Sequence, residues 1–206
     1  MFFIYALHLG YQLMKTGSCK PVEAESVPDR VLLLGPSSYE DEASEAALRS
    51  VGWTHIHLVN LISGHQLSLV KRHVHVFTKL RVFDLPYRKI VFLDLDLHVQ
   101  GDLRGLFDLP GPAGKIHFRV DMETEIKHGQ TVDHNGELPL ELWCPNAGVM
   151  RIDPDADAGK RRTQIRIMEQ EILSFGRERQ AGDLQATMLP EQDYLSKRIP
   201  GWRHID

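Results

Sequence analysis

Two aspartates, Asp94 and Asp96, flank Leu95 directly after the most apolar short run of the chain, Ile90-Val91-Phe92-Leu93. Carboxylates two residues apart on an extended chain point to one side and can converge on one hard divalent cation. An ion held by only two protein carboxylates keeps waters or takes phosphate oxygens from a substrate. There it can neutralise a diphosphate and stabilise it as a leaving group. A solvated strand end would give the same short pattern. Position after a buried strand strengthens the metal reading and leaves the other open, because ligands of open α/β sheets bind beyond the carboxyl ends of the strands.

The elements that must hold this pair alternate between helix and strand. Apolar spacing predicts a helix over residues 5–15, stopped by Gly17, Ser18 and Pro21. Val31-Leu32-Leu33-Leu34 reads as a short buried strand. Ser38 is placed to cap a second helix, with Glu40, Asp41, Glu42 and Glu45 in the turns that the helix dipole favours for acids. A strand over 54–61, a helix over 74–83 closing before Pro86, and a strand over 89–93 follow. Beyond an irregular polar stretch at 121–141 come a strand over 148–152, a long helix over 160–175 and a short helix after Pro190. The long helix carries Ile165, Met168, Ile172 and Phe175 on one face. Continuous apolar strands between helices imply one α/β domain with a mainly parallel central sheet covered on both faces.

Composition narrows the partners. The chain has 206 residues, 24 Lys+Arg against 28 Asp+Glu, and a net charge of −4. A protein that coats nucleic acid would carry a basic excess, so nucleic acid is disfavoured as the main ligand. No run approaches the ~18 apolar residues that would span a bilayer. The apolar start lacks a basic leader and a small-residue cleavage site, and reads as a packed helix rather than a signal peptide. Cys19 and Cys144 are too few for a disulfide scaffold and fit idle thiols in a reducing compartment. The pairs His55/His57 and His73/His75 lack further ligands at a structural-zinc spacing. Lys160, Arg161, Arg162 and Arg166 read as the wet face of the long helix.

Five short motifs in order carry a resemblance. They are Ala6-Leu7-His8-Leu9-Gly10; Phe77-Thr78-Lys79-Leu80; Lys89 through Asp96 with Val99, Leu106 and Phe107; Cys144-Pro145-Asn146-Ala147-Gly148-Val149; and Pro190-Glu191-Gln192-Asp193-Tyr194-Leu195. Together they resemble glycosyltransferase family 8, the glycogenin-like and galactinol-synthase-like enzymes. The resemblance implies a GT-A nucleotide-sugar-binding fold, Mn²⁺ or Mg²⁺, and hexosyl transfer from a UDP-sugar with retention of configuration. The acceptor would be a carbohydrate, a polyol or a protein, with its pocket in the 121–141 stretch.

Residue by residue, the resemblance assigns Asp94 and Asp96 to the metal. It assigns Lys79, Asp94, Leu95, Asn146, Gly148 and Gln192 to the donor. Lys79 would stabilise the departing diphosphate. Asn146 can donate and accept hydrogen bonds to sugar hydroxyls, and Gly148 lets the backbone come close. Gln192 matches the residue beside the sugar's reactive carbon, flanked by Glu191 and Asp193 as the other catalytic candidates. A neutral amide there favours positioning over nucleophilic attack, while double displacement through an acidic neighbour stays open.

The chain also departs from the family pattern. It begins at the first helix, with Phe2 near a base-stacking position, without the family's opening strand. It stops before the H-x-x-G-x-K-P-W-type segment that supplies a third metal ligand, and His204 does not sit in that motif. Two other readings stand beside a transferase: an incomplete chain that only binds nucleotide-sugar, and a haloacid-dehalogenase-like phosphatase with Asp94 as nucleophile. The second fits poorly, because Leu97 and His98 follow the D-x-D.

Overall fold

The computed structural model describes residues 2–18, 27–36, 41–64, 74–118, 126–132, 143–181, 190–199 and 201–206. The chain folds into two compact units. The first comprises Met1–Leu61 and Leu93–Asp108, the second Ile62–Phe92 and Leu109–Asp206.

In the first unit, α1 (Phe2–Lys15) buries Ala6, Leu9, Gly10, Gln12 and Leu13, while Tyr5, Tyr11 and Met14 of the same apolar stretch are exposed. Ala6, Leu9 and Leu13 meet Leu32 and Leu34 of β1 (Val31–Leu34), Leu48 of α2 (Glu42–Ser50), Trp53 and Val99 in one core. Gly10 is required here. A Cβ at that position would lie 2.8 Å from Trp53 Nε1 and 2.9 Å from the Val51 carbonyl oxygen. That close approach lets Trp53 donate to the Ala6 carbonyl at 2.9 Å. The α2 cap is Asp41, which accepts from the Ser44 N–H at 2.6 Å; Ser38, the expected cap, lies outside the described residues. β2 (His55–Leu58) pairs in parallel with β1 and is shorter than the expected 54–61 span. Buried polar groups of α1 clamp the stretch after the D-x-D. Gln12 Oε1 accepts from the Val99 N–H at 2.9 Å, and Ser18 Oγ from the Leu103 N–H at 3.1 Å.

In the second unit, Val76–Asp84 is a 3-10 helix rather than the expected α-helix. It buries Phe77, Leu80, Val82 and Phe83. Leu85 is extended in front of Pro86, as the residue before a proline should be. The remaining elements of the chain are β3 (Ile90–Leu93), β4 (Ala113–Phe118), β5 (Thr131–Val132), β6 (Trp143–Ile152), α3 (Ala158–Ala181), α4 (Pro190–Arg198) and β7 (Trp202–His204), with the 3-10 turn Arg104–Asp108 in the first unit.

The five-stranded sheet runs β3-β6-β4-β7-β5. It corrects the expectation of a mainly parallel sheet. β4 is antiparallel to β6 and β5 antiparallel to β7, while β4 and β7 are parallel. The α/β class holds, with antiparallel pairs standing beside parallel ones. Arg161 is a second correction. It is only 7% exposed and donates to the carbonyls of Asp155 at 2.8 Å, Ala156 at 2.9 Å and Asp84 at 3.3 Å. Three main-chain acceptors thus hold a side chain assigned to the wet face; Lys160, Arg162 and Arg166 are exposed as expected.

Candidate active site

α4 opens with Pro190, whose fixed φ suits the first helical position. Glu191 and Asp193 lie in its first turn, Lys197 and Arg198 in its last, so the charges follow the dipole. A merely dipole-matched first turn would face water. Glu191 and Gln192 instead are only 4% and 7% exposed.

Glu191 meets Lys79 of the 3-10 helix. Lys79 Nζ stands 3.5 Å from Glu191 Oε1, donates to the Ala147 carbonyl at 3.1 Å, and lies 5.6 Å from the centre of the Phe92 ring. Both side chains of the pair are recessed. The other carboxylate oxygen, Glu191 Oε2, is buried without a hydrogen-bond partner among the described residues. An unpaired buried acceptor is costly, so it marks a place for an O–H or N–H from outside the described chain.

The Ala147 carbonyl reaches Lys79 because β6 bulges. Gly114 and Ile116 of β4 face Met150 and Pro145 of β6, so a two-residue step on one strand matches a five-residue step on the other. The four β6 residues that lie opposite the single residue Lys115, Asn146-Ala147-Gly148-Val149, belong to the motif. Bulges of this kind re-aim groups beside active sites. Within it, Asn146 Oδ1 accepts from the Gly148 N–H at 2.7 Å, the local turn that Asn favours. One face of the Asn146 amide is thereby used in shaping the bulge.

The second unit therefore joins three sequence-predicted parts by direct contact: Lys79, the Asn146–Gly148 motif through its Ala147 carbonyl, and Glu191. Gln192 and Asp193 share the helical turn of Glu191. Asp94, Leu95 and Asp96 belong to the first unit. There the structure corrects one expectation. The strand ends at Leu93 and the chain turns, with the Leu97 N–H reaching the Asp94 carbonyl at 3.4 Å. The two carboxylates are thus carried by a turn, not by extended chain; Asp94 is half-buried and Asp96 exposed. Among the described residues no group of three or more His, Cys, Asp or Glu side chains is arranged to hold a metal.

Phe92, the Ala147 carbonyl, Tyr194 and Glu171 were not singled out from the sequence. A main-chain carbonyl has no residue-type signal, and an aromatic in a strand reads as core. Tyr194 stood inside a quoted motif without a role. His204 is excluded as a loose ligand, since Nδ1 accepts from the Ile116 N–H at 3.1 Å and Nε2 bonds Asp206 at 2.9 Å. The acceptor stretch at 121–141 is largely outside the described residues, as are Cys19, His73 and the Cys144 side chain.

The chain belongs to glycosyl transferase family 8: the model of that family matches residues 59–195, well over half its length. It is a glycosyltransferase, and the family implies a nucleotide-sugar donor and an acceptor. The match takes in the Lys79, Asp94–Asp96, Asn146–Gly148 and Glu191–Asp193 motifs and leaves α1 and β1 outside. Among curated proteins, none matches the chain. Family membership sets aside the phosphatase reading of Asp94. No helix among the described residues is long and apolar enough to cross a membrane.

Proposed function

We propose that this chain moves a hexosyl group from a UDP-sugar to a carbohydrate, polyol or protein acceptor, with retention of configuration. The observation that carries the proposal is the recessed Glu191 carboxylate, tied to Lys79 by one oxygen and, among the described residues, unpartnered at the other. A sugar hydroxyl has the O–H that this acceptor lacks, and a buried charged acceptor bonds it more strongly than a neutral one would. Gln192, on the same turn, would position the transferred group. The Lys79 ammonium would draw negative charge of the leaving diphosphate toward the pair.

Asp94 and Asp96 would hold Mn²⁺ or Mg²⁺. Their oxygens are the hard ligands that such ions prefer, and two carboxylates completed by substrate phosphates and water form an ordinary site for them. When bound, the ion would neutralise diphosphate charge.

Calorimetric titration of the chain with UDP, with and without Mn²⁺, tests the reading together with release of UDP from UDP-glucose and UDP-galactose. Binding that requires the metal, lost in Asp96→Asn with the thermal midpoint unchanged, is the expected result. Asp96 is exposed, so its substitution should leave the fold intact. Absence of UDP binding in both conditions would sink the proposal.

A further inference from the structure

We propose that Tyr194 is a positioning residue for sugar transfer, its hydroxyl tying α4 to α3 so that Glu191 stays in register with Lys79. The proposal rests on the reading of Glu191 and Lys79 as parts of the transfer site.

Tyr194 follows Glu191 by three residues, so both leave α4 on neighbouring positions of one face. It is 6% exposed. Its hydroxyl donates to Glu171 Oε2 of α3 at 2.5 Å, and Arg198, one turn further along α4, donates to the same oxygen from Nε at 3.0 Å. One carboxylate oxygen on α3 thus fixes two points of α4. The ring of Tyr194 meets Phe77 edge-on, at 5.9 Å between centres and 79° between planes. Phe77 is fully buried and stands two residues before Lys79. On the α3 side the ring also meets Phe175 edge-on, at 6.2 Å and 66°. A single side chain therefore touches the segment that carries Lys79, belongs to the helix that carries Glu191, and hydrogen-bonds the helix behind both.

Packing alone would be served by phenylalanine, which fills the same space and offers the same edges to Phe77 and Phe175. The hydroxyl is the part that fixes rotation and depth of α4 against α3. Burial first, and then the Glu171 carboxylate, push the phenol above its ordinary range. It is therefore an O–H donor at neutral pH. Displacement of a catalytic group by about 1 Å can cost on the order of a hundredfold in rate, so a hydroxyl that sets the seat of α4 acts on turnover through Glu191.

The test is a double-variant cycle on the full chain with Tyr194→Phe, Glu171→Ala and both together, following UDP release from the UDP-sugar that the wild type accepts. Each variant is scored as kcat per folded molecule, with the folded fraction taken from its thermal melt. Tyr194→Phe is expected to lower kcat about tenfold or more while KM for the donor stays within about twofold. Glu171→Ala is expected to do the same, and the double variant to lose little beyond either single change. A purely structural role would lower the melting temperature and leave kcat per folded molecule within about twofold; that result overturns the proposal. A rise in KM at constant kcat, or additive losses, overturns it as well. A wild type that neither turns over nor binds UDP defeats the proposed function and this inference together. An active wild type with an equally active Tyr194→Phe defeats this inference alone.

Discussion

Replacing Lys79 with methionine keeps most of the side-chain volume and removes the charge, which isolates the electrostatics of the recessed pair. Nζ lies 3.5 Å from Glu191 Oε1, with the two side chains 11% and 6% exposed. At an effective dielectric of about 20, opposite unit charges at that distance attract by roughly 5 kcal/mol. Taking each ion out of water costs several kcal/mol, so the intact pair contributes little net stability. Lys79→Met leaves the cost of burying Glu191 without the attraction. The expected loss is about 3–5 kcal/mol, read from urea denaturation at neutral pH by linear extrapolation. The double variant Lys79→Met with Glu191→Leu should regain most of it, because an apolar pair of similar size replaces a buried ion pair at little cost. A single variant that loses less than about 1 kcal/mol, or a double variant equal to the sum of the singles, would refute the reasoning. Either result would mean that Glu191 is hydrated in solution.

Two further outcomes bear on the two units separately. His204 is buried between β4 and β5, and burial holds its imidazole below the ordinary value of 6.5 despite the nearby Asp206 carboxylate. The unfolded chain therefore takes up the proton first, so stability is full above that value and falls as pH drops through it toward the folded-state pKa. Thermal midpoints measured across mildly acidic to neutral pH should show this slope. It should shrink in His204→Asn, whose side-chain oxygen can still accept from Ile116; equal slopes would remove His204 as the cause. Gly10→Ala should destabilise the first unit even though alanine favours helix by about 1 kcal/mol. The new Cβ would lie 2.9 Å from a main-chain oxygen that cannot rotate away, and overpacking of this kind costs about 1–3 kcal/mol. A denaturation midpoint equal to or above that of the wild type would contradict the packing described.

Different parts of the molecule were legible in the sequence for different reasons. α1, β1, β3 and α3 announce themselves through local apolar patterning, the strands as short apolar runs and the helices as apolar spacing. β4, β5 and β7 do not. Ala113-Gly114-Lys115 and Trp202-Arg203-His204 have no alternation strong enough to compete with a loop reading, and they are strands because distant chain completes their ladders. The same non-local pairing made the sheet mixed, which no count of alternating elements could reveal. At the site, the motifs pointed to Lys79, Asn146, Gly148 and Glu191. They were silent on how these parts meet, since the meeting point is a main-chain oxygen exposed by a bulge. Arg161 was misread for a related reason: its partners are three carbonyls, and carbonyls leave no mark on composition.

Three unfavourable features of the second unit meet at Lys79. A register slip in the β4–β6 ladder gives up regular pairing at Asn146–Val149. A lysine–glutamate pair is recessed where apolar side chains would be at least as stable. A carboxylate oxygen is buried without a partner among the described residues. Each alone has a local remedy: a restored ladder, a leucine for Glu191, a hydroxyl set beside Oε2. The three share Lys79, which bonds the bulged carbonyl and faces the carboxylate. Sequences that specify a fold are consistent at every level except where function overrides them, and the override is recognised by several local rules failing together. A bound group offering an O–H to Glu191 and negative charge to Lys79 would answer the second and third faults at once and explain why the bulge places a carbonyl behind the lysine. A sugar joined to a diphosphate carries both.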